Sequence, residues 1–88
     1  MADYAVTIAR SARKEIEALP SSMADRILAR IEALMKAPRS AGVIKLNGKM
    51  ELWRARVGDY RIVYSIDDVR KVIDISAVRH RRDVYRDL

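Results

Sequence analysis

Leu52-Trp53-Arg54-Ala55-Arg56-Val57-Gly58-Asp59-Tyr60-Arg61-Ile62-Val63-Tyr64 is the stretch whose reading decides the fold. Trp53, Ala55 and Val57 alternate with Leu52, Arg54 and Arg56; Tyr60, Ile62 and Tyr64 alternate with Arg61 and Val63. A period of two is that of a half-buried strand. Between the two runs lies Gly58-Asp59, a two-residue connection with glycine first, as a type II′ hairpin turn demands. Such a turn pairs Val57 with Tyr60, and therefore Arg56 with Arg61, Ala55 with Ile62 and Arg54 with Val63. The apolar side chains then share one face, and Arg54, Arg56 and Arg61 share the other. Like charges directly opposite on neighbouring strands destabilise a sheet. They are better tolerated where an anion belongs between them, because the guanidinium fork donates paired hydrogen bonds to phosphate. Arginines on an exposed strand face are ordinarily just solvated. Three on one patch, followed by Arg79, Arg81 and Arg82, favour a phosphate site.

Downstream, Ile66 completes the second strand; Ile73, Ile75 and Ala77 alternate with Asp74, Ser76 and Val78, a third strand with one apolar face. The turn between them, Asp67 to Arg70, has two or four residues; the sequence leaves both open. Upstream, Val43 to Leu46 offers a further strand. Tyr4, Val6 and Ile8 form a short half-buried strand at the N-terminus. Ala12, Ile16 and Leu19 then recur at helical spacing until Pro20. Ser22 offers an N-cap with Asp25 as a weak capping-box partner, and Ala24, Ile27, Leu28, Ile31, Leu34 and Met35 make an amphipathic stripe broken by Pro38 and Gly42. The expectation is one α+β domain over residues 1–88: an N-terminal strand, a helical hairpin, an antiparallel sheet of three to four strands against which the hairpin packs, and a short C-terminal segment.

Composition narrows the function. Eighty-eight residues leave no room for a second core, and a domain of this size buries only about 60% of its unfolded surface, so a partner can add stability. There is no cysteine and a single histidine, which excludes disulfides and thiolate metal sites and argues against zinc; no metal or cofactor is expected. The N-terminal run carries no apolar stretch fit for a signal peptide or a membrane span, so a cytoplasmic protein without membrane contact is expected. The net charge of +6 points to a polyanion. Acidic and basic residues nearly balance up to Lys36, and the excess lies in the C-terminal half.

Leu46-Asn47-Gly48, the Leu52 to Tyr64 hairpin, and the ending from Ile75 through His80, Arg81, Asp83, Val84, Tyr85 and Arg86 together resemble the RelE branch of the RelE/ParE toxin superfamily. The resemblance spans nearly the whole chain. It implies the toxin of a type II toxin–antitoxin system, neutralised by a RelB-like antitoxin and meeting operator DNA only through the antitoxin complex. Free, it would enter the ribosomal A site and cleave mRNA without a metal, the ribose 2′-OH attacking the adjacent phosphate. Arg61 matches the family's transition-state arginine, Arg81 its C-terminal catalytic arginine, and Tyr85 its catalytic or base-stacking tyrosine. Arg54 and Arg56 stand where well-known members carry two lysines. Lys45, Lys49, Arg79, His80 and Arg82 are the expected flanking RNA contacts.

The departure at 54 and 56 changes the chemistry. Lysine can lose its proton and act as a base, whereas arginine only donates. The base must come from elsewhere: Tyr85 first, since surrounding cations favour a phenolate, and His80 second. Two other readings compete. A ParE-type gyrase poison shares the fold but has no need of Arg61, Arg81 and Tyr85 together, and a plain nucleic-acid-binding module would bind in a salt-dependent way without cleaving.

Overall fold

The computed structural model describes residues 3–46 and 51–84. In chain order these form β1 (Ala5–Ile8), α1 (Arg10–Glu17), α2 (Ser21–Lys36), β2 (Ile44–Lys45), β3 (Trp53–Val57), β4 (Tyr60–Asp67) and β5 (Val72–His80). The fold is α+β, with both helices on one face of a five-stranded sheet ordered β1-β5-β4-β3-β2. The sheet is mixed rather than purely antiparallel, because β1 runs parallel to β5, with Val6 opposite Ile73 and Ile8 opposite Ile75. Alternation identifies a strand but not its neighbour. Here the helices carry the chain from one sheet edge to the other, and successive antiparallel pairings walk back until β5 meets β1.

The main core lies between helices and sheet. Ala12 and Ile16 of α1 and Ile27, Ile31 and Leu34 of α2 pack on Ala55, Ile62, Tyr64, Ile73, Ile75 and Val78. Each buried aliphatic side chain of this size contributes about 1.5–3 kcal/mol. Tyr64 is fully buried, and its hydroxyl donates to the Pro38 carbonyl at 2.7 Å, so the chain leaving α2 is fastened to the sheet. The apolar stripe of α2 is narrower than its sequence suggests, since Leu28 is 45% exposed. Ser22 is not the N-cap. Pro20, with φ −55° and ψ 146°, takes that place and its carbonyl accepts from the Ala24 amide, which puts Ser22 inside the first turn. Proline's fixed φ suits this half-helical position, where a missing N–H costs nothing.

The Gly58-Asp59 turn has the expected geometry: Gly58 lies at φ +57° and Asp59 does not share the positive region, as type II′ requires. The β4–β5 turn is the longer alternative, Asp68 to Lys71, with Asp67 paired to Val72. Asp67 Oδ1 accepts the amides of Val69 and Arg70, and Lys71 closes the turn at φ +57°.

One irregularity reorganises β5. Tyr64 is opposite Ile75 and Val63 is opposite Ala77, so Ser76 is an extra residue, a β-bulge. Ala77 therefore does not continue the apolar face begun by Ile73 and Ile75; Val78 does, and Ala77 faces away from the helices with Val63. Ala77 to His80 are therefore each on the face opposite to that expected from strict alternation.

Candidate active site

The face of the sheet turned away from the helices carries the basic cluster. Hairpin pairing sets Arg54 opposite Val63 and Arg56 opposite Arg61, as the turn type requires. Beyond the bulge, β5 sets Arg79 opposite Arg61, and the Arg81 amide donates to the Asp59 carbonyl at 2.8 Å, so Arg81 comes level with the hairpin turn. Were Ser76 an ordinary member of the ladder, in strict alternation, Arg79 and Arg81 would point to the helices and His80 to the arginines. The bulge reverses both.

Arg61 is at the centre. Its Nη1 donates to the carbonyls of Gly58 and Tyr60, each at 3.0 Å, which holds the guanidinium by the turn. Partial burial lowers its pKa from the ordinary arginine value, and the cations of Arg56, Arg54 and Arg81 push the same way, with the Asp59 carboxylate opposing them. Arginine nevertheless keeps its proton in proteins. The lowered value reports burial first and crowded positive charge second, and a phosphate would relieve the crowding. Asp59 gives little local compensation, for its Oδ1 is 3.9 Å from Arg81 Nε and both side chains are well exposed.

The other expected contacts are distributed differently. Arg79 has its Cα on the arginine face, but its Nε donates to Glu15 Oε2 of α1 at 2.7 Å. His80 pairs with Tyr60 and lies edge-to-face against its ring, 5.6 Å between centroids. It lines a cavity of about 420 Å³ with Ala18, Leu19 and Asp83 on the helix side, apart from Arg54, Arg56 and Arg61. Its Nδ1 accepts the Arg82 amide at 3.2 Å, and Arg82 is exposed in the turn that follows. Lys45 pairs with Trp53, also on the helix side; its ammonium meets Glu51 at 3.1 Å and lies 6.0 Å from the indole centroid. Lys49, Tyr85 and Arg86 lie outside the described residues.

Sequence reasoning did not find the small second core beside the arginines. Val84 is 2% exposed and packs on Val63 and Ala77, with Leu46 and Leu52 against them. The turn after β5 thus folds back over the arginine-bearing face. The available signal was Val63, an apolar side chain in the register of the arginines. Glu15, which grips Arg79, gave no signal in the sequence. Among the described residues no group of His, Cys, Asp or Glu is placed to hold a metal ion, and no helix is long and apolar enough to cross a membrane.

A two-helix, mixed-sheet domain with guanidinium groups gathered on its open face is a fold shared with known toxins. The family model described as the ParE toxin of the type II toxin–antitoxin system parDE matches residues 6–85. Two Mycobacterium tuberculosis proteins are similar along most of the chain. Toxin RelE is 32% identical over 84 residues, covering 94% of this chain and 87% of that protein; Toxin RelG is 33% identical over 88 residues, covering 94% and 97%. Among solved structures, the archaeal RelE–RelB complex from Pyrococcus horikoshii OT3 superposes with a TM-score of 0.80 at 36% identity, covering 90% of this chain and 96% of that one. The chain belongs to the RelE/ParE superfamily and is a RelE-type toxin of a type II toxin–antitoxin system.

Proposed function

We propose that this toxin is a metal-independent endoribonuclease of the cytoplasm that cleaves mRNA in the ribosomal A site and is silenced by a RelB-like antitoxin. The observation that carries the proposal is the grouping of Arg54, Arg56 and Arg81 around a central, partly buried Arg61. Preorganised donors of this kind stabilise the negative charge that grows on phosphate in the transition state. In the proposed step the 2′-oxygen bonds to the adjacent phosphorus, the bond to the 5′-oxygen breaks, and a 2′,3′-cyclic phosphate and a 5′-hydroxyl result. The 2′-proton passes to Tyr85 in its phenolate form, which becomes the phenol, and the leaving 5′-oxygen takes a proton from solvent. Arg54, Arg56, Arg61 and Arg81 hold the phosphate and remain protonated throughout. The placement of His80 on the helix side supports Tyr85 as the proton acceptor.

The RelE–RelB composition of the Pyrococcus horikoshii complex supports the antitoxin assignment, and operator DNA would be met only through that complex. Primer extension on mRNA from a translation reaction containing the purified toxin tests the activity. New 5′ ends at codons in the A site are expected, and their absence at toxin concentrations that stop translation would refute it. The match to a family model described as ParE supports a second reading, gyrase poisoning. Supercoiling assays separate the two, since the nuclease reading predicts no effect on gyrase.

A further inference from the structure

Glu15 occupies an unusual place. The pairing of β1 with β5 ends at Ile8 and Ile75, with a last bond from the Ala9 amide to the Ile75 carbonyl. The rest of β5 has no strand on that side, and an open edge leaves backbone donors without partners. Glu15 reaches this edge from α1. Its Oε1 accepts the Val78 amide at 2.9 Å, and its Oε2 accepts Arg79 Nε at 2.7 Å. Arg79 and Glu15 side chains are 19% and 27% exposed, the least exposed ion pair among the described residues. Yet the Arg79 Cα is directly opposite that of Arg61 on the phosphate face. The strand register offers Arg79 to the cluster, and a carboxylate from the other layer takes its guanidinium.

We propose that Glu15 is a positioning residue that withholds Arg79 from the phosphate site, so that RNA meets Arg54, Arg56, Arg61 and Arg81 without it. This rests on the reading of the arginine face as an RNA-phosphate site. The physical consequence is a limit on ground-state affinity. A further guanidinium beside Arg61 would bind substrate and product phosphates alike, and uniform binding does not accelerate the chemical step. Glu15 also keeps the end of β5 in place where the chain turns to present Arg81.

Glu15→Gln separates these roles. The amide oxygen can still accept from Val78, while the charge that holds Arg79 is gone. Binding is measured with a short, fully 2′-O-methylated single-stranded RNA, which cannot be cleaved, as a function of salt. Each single-strand phosphate newly neutralised steepens the slope of log K against log salt by about 0.7. The expected result is one such increment in Glu15→Gln, its disappearance in Glu15→Gln/Arg79→Ala, and a parental slope in Arg79→Ala alone. An unchanged slope in Glu15→Gln with a lowered melting temperature would show that Glu15 only braces the edge, and overturn the proposal. A shallower slope in Arg79→Ala would overturn it independently, by showing Arg79 already on the RNA. Failure of the underlying site reading has its own signature: Arg61→Ala would leave the slope unchanged, and the role of Glu15 would fall with it.

Discussion

Replacing Arg61 with alanine should remove most activity while leaving the fold nearly intact. On the stability side, the variant loses two hydrogen bonds from Nη1 to the Gly58 and Tyr60 carbonyls. Such bonds contribute about 0.5–1.5 kcal/mol each at most, and less when water can replace the donor. Against that loss, the variant removes a like-charge pair with Arg56 directly opposite, worth up to about 1 kcal/mol in the other direction. The net change is therefore a loss of no more than about 2–3 kcal/mol, a shift of melting temperature of no more than about 10–20 °C in a domain of this size. On the activity side, deleting one preorganised donor from a site that stabilises developing negative charge costs about 10²–10³-fold in rate. Arg61→Lys keeps the charge but loses the fork, and should fall between parent and alanine. Single-turnover cleavage on programmed ribosomes, with thermal melting of the same preparations, gives both quantities. Cleavage within a few-fold of the parent in a folded Arg61→Ala protein would remove Arg61 from the site. A collapse of the melting temperature would instead show that the turn depends on the guanidinium.

Arg54→Lys and Arg56→Lys should retain substantial cleavage and the corresponding alanine variants little; an ionisation in the pH–rate profile of a lysine variant, absent in the parent, would show that lysine there supplies new base chemistry. The hydrogen bond from Arg39, helped by the Tyr4 hydroxyl, holds the Asp68 carboxyl down at about 2. Because the folded value is the lower one, this stabilisation is complete above the ordinary carboxylate range and is lost as pH falls through about 2; Asp68→Asn should flatten the acid end of the melting-temperature profile. Tyr64→Phe strands the buried Pro38 carbonyl, which costs about 1–3 kcal/mol and should lower the melting temperature by about 4 °C or more. Burial pushes the Tyr64 phenol up to about 12, so the parent should lose stability between pH of about 10 and 12, a loss absent in the Phe variant.

The hairpin was legible because one glycine-first turn determines its register, and register determines which face every arginine occupies. The helices were legible from spacing, though the bystander Leu28 and the cap at Pro20 depend on how the helices seat on the sheet. The parallel neighbour of β1 could not be read, since pairing over such a distance leaves no local signature. Glu15 was hidden for a similar reason: its role arises only where α1 crosses the bare edge of β5.

Ser76 had the largest consequence for the site. Strict alternation through β5 would put His80 with the arginines and Arg81 with the helices, whereas the bulge exchanges them. Deleting one residue from a strand normally turns all that follows to the other face. Deleting Ser76 should not, because Ile75 would remain opposite Tyr64 and Ala77 opposite Val63, now in an uninterrupted ladder. Arg81 would stay beside Arg61. Deleting Asp74 instead keeps the strand length of the first variant but shifts Ser76 into the buried place of Ile75 and turns Ile75 outward. That exchange costs about 2–5 kcal/mol, the range for a large-to-small change in a core. The Ser76 deletion should therefore melt well above the Asp74 deletion and still cleave RNA. Equal destabilisation of the two would mean that Ser76 is an integral part of the ladder, and that the faces of β5 have been misassigned.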